Sequence, residues 1–406
     1  MHRDDFFLGR QPIIGRKGDL VAYELLFRSS SFNAAIVLDN VAASAAVIQH
    51  SFADLGLHAA LGNKLGFINV PEDLLMSDAI KMLPPRQVVL EILETVPITP
   101  PVIDRCQHLK AAGFTLALDD IIDLTEAHIA VLPHIEVVKI DVLALPQPQI
   151  IELVRRLHHY GVTLLAEKVE TVAQYSFCRE LGFELFQGYF FARPTILTGR
   201  AMPPAMLATL KLFSLVAADA ELDEIDMALK QAPDLTLRLL KMANSAAFNP
   251  MNKIYSVRNA IIVLGRVQLR RLLQIMVLAQ HSGGDAAKNP VVQTAVMRGR
   301  LMEETARALG WKASAERAFM VGMLSLADAL LGQPLAEIVR HLDLDDSVRN
   351  ALFKHEGQLG TLLQLVETAE QGDGLAALAI LAKLDFPGGD AFNRLQIEAL
   401  DWASHL

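Results

Sequence analysis

From Tyr23 to Gly188 the chain repeats one pattern: a short apolar run interrupted or ended by a single polar side chain. Glu24 lies in "YELLF", Asn69 in "FINV" and Glu91 in "VLEIL". Asp119 and Asp120 follow "LAL", Lys139 and Asp141 lie in "VVKID", Glu167 in "LLAEK" and Gln187 in "LFQGY". From Asn69 to Gln187, taking one residue per run, the steps are 22, 28, 20, 28 and 20 residues. A step of that size holds a strand, a helix and two connections, the βα repeat of a parallel sheet. Eight segments read as strands: "FFLGRQPII", "LVAYELLF", "KLGFINV", "QVVLEIL", "FTLALDD", "EVVKID", "VTLLAEK" and "FELFQGYF". Between them "DNVAASAAVIQHSFADLG", "QPQIIELVRRLHHYG" and "TVAQYSFCRELG" have helical period and end on glycine, as helix C-caps do. Eight such units favour a closed (β/α)8 barrel, with a doubly wound sheet as the alternative.

In a barrel, residues at the strand ends meet on one rim, where barrel active sites are built. One Glu or Asn at a strand end commonly caps a helix, and two aspartates before a helix can simply offset its dipole. The set as a whole points further. Six carboxylates, an asparagine and a glutamine are hard oxygen ligands suited to Mg²⁺ or Mn²⁺. Asp119 and Asp120 repel each other by roughly 4 kcal/mol at about 4 Å and an effective dielectric near 20. A divalent cation removes that conflict.

The pattern stops at "ARPTILTGRAMPPAM", rich in Pro and Gly, which reads as a boundary with a linker over 196–205. Residues 206–406 carry helical period only and read as an all-α domain. The formal charge of −9 has no Lys/Arg cluster, which argues against a nucleic acid polymer as partner. The two cysteines, Cys106 and Cys178, lack metal-site spacing and fit a reducing compartment. The N-terminus has no apolar signal segment, and no apolar run is long enough to span a membrane, so no membrane insertion and a cytoplasmic location are expected.

Residues 1–195 resemble an EAL domain, the cyclic di-GMP phosphodiesterase module of bacterial signalling. The motifs are "QPI", "ELLFR", "INV", "LEILE", "LALDD", "VKID", "AEKVET" and "FQGYFFARP". The resemblance implies a barrel with an antiparallel first strand and a two-metal site that cuts cyclic di-GMP to linear pGpG. It implies that Glu24, Asn69, Glu91 and Asp119 hold the first metal and that Asp120 helps hold the second. Glu167 would act on the attacking water, and Lys139 would contact that water or a phosphate oxygen. Arg28 would meet a ligand phosphate, Gln11 and Gln187 would complete the ligand site, and Glu94 would brace the loop after Asp120. Two departures stand out. The family's Gly-containing loop after the aspartate pair is "DDIIDLTEAH" here, and the glycine of "AEGVE" is Lys168. The altered loop also carries the family's barrel–barrel contact, so a homodimer stays open.

The helical half resembles an HDOD domain through "APDLTLRLLKMANSAAFNP" and "IYSVRNAIIVLGRVQLRRLL". Ser325 and Leu326 stand where related HD phosphohydrolases have the His-Asp metal pair. Asn244 and Ser245 read as packing or capping groups. This half is therefore expected to hold no cofactor, to be non-catalytic and to bind a protein partner. For the whole chain the expectation is a cyclic di-GMP receptor with weak or absent hydrolysis. An active Mg²⁺- or Mn²⁺-dependent phosphodiesterase and a nucleotide-independent scaffold are the alternatives.

Overall fold

In the computed structural model the eight apolar segments are strands that close into a barrel in chain order. They are β1 (Phe6–Gly15), β2 (Leu20–Ser29), β3 (Leu65–Val70), β4 (Val88–Ile92), β5 (Thr115–Leu118), β6 (Val137–Asp141), β7 (Thr163–Glu167) and β8 (Leu185–Gln187). β1 runs antiparallel to both β2 and β8, and every other neighbouring pair is parallel. Closure through β1 and β8 excludes the doubly wound sheet. The structure describes residues 6–29, 61, 64–188, 212, 215, 220–230, 239–241, 243–244, 254, 257–279, 289–331, 334–340, 342 and 344–404. The expected linker 196–205 and the Ala-rich helix after Asp39 lie outside them.

The strands are joined by helices α1 (Glu72–Met76), α2 (Pro100–Ala111), α3 (Glu126–Val131), α4 (Gln147–Leu157) and α5 (Val172–Leu181). Capping boxes start two of them. Thr125 accepts from the His128 N–H at α3, and Thr171 accepts from the Gln174 N–H at α5. Gly182 ends α5, and Gly161 ends the 3₁₀ turn His158–Tyr160 that follows α4, both in the left-handed conformation, at φ 103° and 66°.

The later helices are α6 (Leu222–Lys230), α7 (Val257–Ala279), α8 (Pro290–Ala308), α9 (Ala315–Leu324), α10 (Ala327–Leu331), α11 (Leu335–Arg340), α12 (Asp346–Lys354), α13 (Gly357–Glu370), α14 (Gly374–Lys383) and α15 (Gly389–Ser404). α8 and α9 approach closely through Gly299 and Gly322, where a Cβ on Gly322 would lie 2.6 Å from the Gly299 Cα.

The chain forms two compact units. The first unit comprises residues 1–191 together with Glu367–Ile397, and the second comprises Ala192–Val366 with Glu398–Leu406. Part of the C-terminal helical region, Glu367–Ile397, thus packs within the barrel unit, against β1. Among the described residues no helix is long and apolar enough to cross a membrane.

Candidate active site

The barrel interior is layered, and the strand period of two sets the layers. Ile13, Ala22, Phe67, Val89, Ala117, Val137 and Leu165, with Leu65 and Leu185 against them, form an apolar plug. Two residues further along β2 to β8, toward the C-terminal end, the inward position is polar. Ala22 leads to Glu24, Phe67 to Asn69, Val89 to Glu91, Ala117 to Asp119, Val137 to Lys139, Leu165 to Glu167 and Leu185 to Gln187. Antiparallel β1 reaches the same layer in reverse, from Ile13 to Gln11. The residues that the sequence places at strand ends therefore share one polar layer above an apolar one.

Lys139 stands at the centre of that layer, 1% exposed. Its Nζ lies 2.5 Å from Glu91 Oε1, 2.7 Å from Glu167 Oε1, 2.9 Å from Asp119 Oδ1 and 3.9 Å from Glu24 Oε2. Burial alone would lower the Lys139 ammonium, but these four carboxylates outweigh it and hold it well above its ordinary value. Burial pushes the Glu91 carboxyl well up, against the pull of Lys139. Burial also pushes Glu167 up to about 8; Lys139 pulls it down, and Asp119 and Glu24 push it up again. One ammonium does not balance this much buried negative charge.

On the β1 side Gln187 Nε2 donates to Gln11 Oε1 at 2.6 Å and to Glu24 Oε2 at 2.5 Å. Asn69 Nδ2 reaches Glu24 Oε1 only at 3.5 Å. Buried oxygens remain without a hydrogen-bond donor: Asn69 Oδ1, both oxygens of Glu91, Asp119 Oδ1 and Asp120 Oδ1. Glu91 Oε1 and Asp119 Oδ1 have only their ion pairs to Lys139. Buried acceptors seldom go unpaired, and a cluster of hard oxygens in this condition fits a divalent cation. Ligand atoms of Asp119, Asp120 and Glu167 lie within 4.8 Å of one another.

Asp120 explains how adjacent aspartates serve one site. Neighbouring side chains of a strand point to opposite faces. Asp120 has φ 45°, in the left-handed region that Asp tolerates better than most residues, and the chain turns there so that both carboxylates line the same cavity of about 360 Å³. The altered loop that follows is held from two sides. The Ile121 N–H donates to Lys139 O at 3.0 Å. Arg156 of α4 donates to Asp123 Oδ1 at 2.8 Å and to Leu124 O at 2.7 Å. Glu94 is exposed in the turn after β4; Arg156, which the sequence reading did not single out, ties this loop to α4. The backbone of Arg28 pairs with Phe7 on the β1–β2 ladder, and its side chain lies outside the described part.

Lys168, the second departure, also has positive φ, 54°. Its ammonium lies 2.5 Å from Asp141 Oδ2 at the cavity mouth. Asp141 Oδ1 in turn accepts from the N–H groups of Leu143 and Ala144 at 2.8 and 3.1 Å. Burial would raise the Asp141 carboxyl, but Lys168 and these two donors outweigh it and hold it low.

In the helical unit Ser325 donates to Gly322 O and accepts from Arg298, both at 2.7 Å, and Leu326 is buried. Asn244 clasps Ile254 through both backbone groups at 2.8 Å, as a packing group does.

Comparison with known proteins agrees with this division. The family model for the EAL domain matches residues 1–194, and that for the HDOD domain matches residues 201–363. The chain is 33% identical over 407 residues to the cyclic di-GMP phosphodiesterase CdgJ of Vibrio cholerae, covering 98% of this chain and 93% of that protein. It is 32% identical over 409 residues to the uncharacterized protein YuxH of Bacillus subtilis, covering 98% of each. Among solved structures, the calcium/cyclic di-GMP complex of BlrP1 from Klebsiella pneumoniae matches with 25% identity and a TM-score of 0.40, over 47% of this chain and 55% of that one, so this chain spans little more than half of that structure's length. With the layered barrel, its acidic cluster and the full-length relatives taken together, the chain belongs to the family of two-domain proteins in which an EAL domain precedes an HDOD domain.

Proposed function

We propose that the barrel is a cyclic di-GMP receptor that takes up the dinucleotide together with a divalent cation, Mg²⁺ or Mn²⁺, and cuts it slowly. The observation that carries the reading is the set of buried oxygens on Asn69, Glu91, Asp119 and Asp120 that has no protein partner beyond the single ammonium of Lys139. Those residues with Glu24 would hold the metals. Bound metal would supply Lewis acidity for the phosphodiester and lower the pKa of a bound water. Glu167 would take up the proton of that water, Lys139 would hold charge beside it, and Gln11 and Gln187 would keep Glu24 in position. Arg28 would add a planar donor fork for phosphate.

Slow cutting follows from Lys168. Its ammonium is fixed at the mouth beside Asp120 and Glu167, where it is a long cation in place of a glycine, and a misplacement of about 1 Å can cost on the order of 100-fold in rate. The HDOD domain, with Arg298 hydrogen-bonded to Ser325 at the position of the metal pair, serves as the output surface for a protein partner. The active phosphodiesterase is the second reading, favoured by the full set of acids around Lys139.

Titration calorimetry with cyclic di-GMP in Ca²⁺, followed by chromatography of Mn²⁺ and Mg²⁺ incubations, tests both readings. Expected are binding and a turnover well under 1 s⁻¹, with Lys168→Gly raising that turnover about tenfold or more. Turnover in the ordinary enzyme range of about 1–10³ s⁻¹ overturns slow cutting in favour of the active enzyme.

A further inference from the structure

The segment Glu367–Ile397 lies beyond both family matches, yet it packs as part of the barrel unit. β1 pairs with β8 only over Ile13–Gly15, so the earlier half of that edge needs other partners. Side-chain amides of α15 supply them. Leu8 N–H donates to Asn393 Oδ1 at 2.9 Å, and Gln396 Nε2 donates to Leu8 O at 2.8 Å. A carboxamide carries the same groups as a peptide, so the two residues stand in for a neighbouring strand. Buried Arg10 adds a bond from Nη1 to Gln396 O at 3.3 Å.

The same segment brings a turn onto the mouth of the cavity. A Cβ on Gly9 would lie 3.1 Å from the Gly372 Cα and 3.4 Å from Ala369 O, and a Cβ on Gly372 would lie 2.5 Å from Leu26 Cδ1. Gly372 has φ 75°. The turn is closed by Gly372 N–H to Ala369 O at 3.0 Å and Asp373 N–H to Thr368 O at 3.2 Å. Asp373 then caps α14 through the Ala376 N–H at 3.0 Å. Gln371 stands on this fixed turn. It is exposed, and it lines the cavity together with Leu26, Gln11 and the acids below.

We propose that Gln371 is a specificity-determining residue of the site, its carboxamide Nε2 donating to the O6 and N7 edge of a guanine of the bound cyclic dinucleotide. The inference rests on the cyclic di-GMP reading given above. Metals held by the acids of the floor would fix the phosphodiester there, so the part of the ligand left to meet the mouth would be base and ribose. A neutral group suits a base edge better than a phosphate, and its two N–H donors match the O6 and N7 acceptors of guanine, where adenine sets a donor at N6.

Titration calorimetry of the full chain in Ca²⁺, with cyclic di-GMP and with cyclic di-AMP, tests it, and melting curves confirm that the variants fold. Gln371→Ala is expected to weaken cyclic di-GMP about three- to tenfold, to move the preference over cyclic di-AMP toward unity, and to leave Ca²⁺ affinity unchanged. Gln371→Glu, which keeps the shape but loses the donors that O6 and N7 of guanine would accept from, should weaken it as well. If the unaltered chain binds and Gln371→Ala binds both dinucleotides within twofold of it, the assignment to Gln371 is overturned while the receptor reading stands. No heat from the unaltered chain overturns both.

Discussion

At the scale of single residues, charge balance decides. Lys139 is the ammonium that Glu91, Asp119 and Glu167 all contact. Lys139→Met keeps the stem and removes the charge. It leaves the acids facing one another, at a cost of about 3–5 kcal/mol for a broken buried pair. The melting temperature should fall, more at pH 8 than at pH 6 because more of the acids are then ionised. Millimolar Mg²⁺ or Mn²⁺ should restore part of the loss, and a melt that ignores both ions would count against a metal site. The acids were legible in the sequence because each breaks an apolar run, which few polar residues do without cause. Asp141 was visible in the same way, but its pairing with Lys168 was not, since the two come from neighbouring strands and the bond depends on the turn at Lys168. Arg156 and Gln371 carried no signal at all, as each is one more polar residue on or beside a helix.

At the scale of elements, local rules suffice for most of the chain. The strand period of two fixed which residues face inward, and the Gly stops marked the ends of two helices. A cap in the helical unit gives a direct test. Asp345 Oδ1 accepts from the Val348 N–H at 3.0 Å at the start of α12, and Arg317 lies 3.5 Å from the other oxygen. Burial would raise this carboxyl, but Ser347, the Val348 N–H and Arg317 together hold it below its ordinary value. A depressed carboxyl stabilises fully above its unfolded pKa, near 3.9, and loses that contribution as pH falls through the lower, folded value. Asp345→Ala should cost about 1 kcal/mol near neutrality, while Asp345→Asn keeps the cap and loses the charge. Urea melts at pH 7 and pH 3 should therefore show the gap between the unaltered chain and Asp345→Ala narrowing in acid. The gap between Asp345→Asn and Asp345→Ala should not change. A gap for the unaltered chain that is the same at both pH values would mean that the carboxylate charge contributes nothing there.

At the scale of the whole molecule, the sequence reading and the structure part. Periodicity identifies α13, α14 and α15 as helices but says nothing of where they pack, and the bonds from Leu8 to Asn393 and Gln396 span 385 and 388 residues. Nothing in a local pattern marks two amides one helical turn apart as the partners of a strand edge. The consequence is that the matched EAL segment, residues 1–194, lacks part of its own unit. A chain ended at residue 194 leaves the Leu8 N–H and C=O without these partners and uncovers the β1 face at Gly9. Each buried backbone group left unpaired costs about 1–3 kcal/mol, and the uncovered apolar surface adds to that. Such a chain should melt well below the full protein or aggregate on expression. In the full chain, Asn393→Ala combined with Gln396→Ala should lower the barrel's unfolding free energy by about 2–6 kcal/mol, since each substitution leaves one backbone group of Leu8 unpaired. If the shortened chain instead melts with the full protein and the double variant changes nothing, then β8 and solvent satisfy that edge unaided, and Glu367–Ile397 lies against the barrel without supporting it.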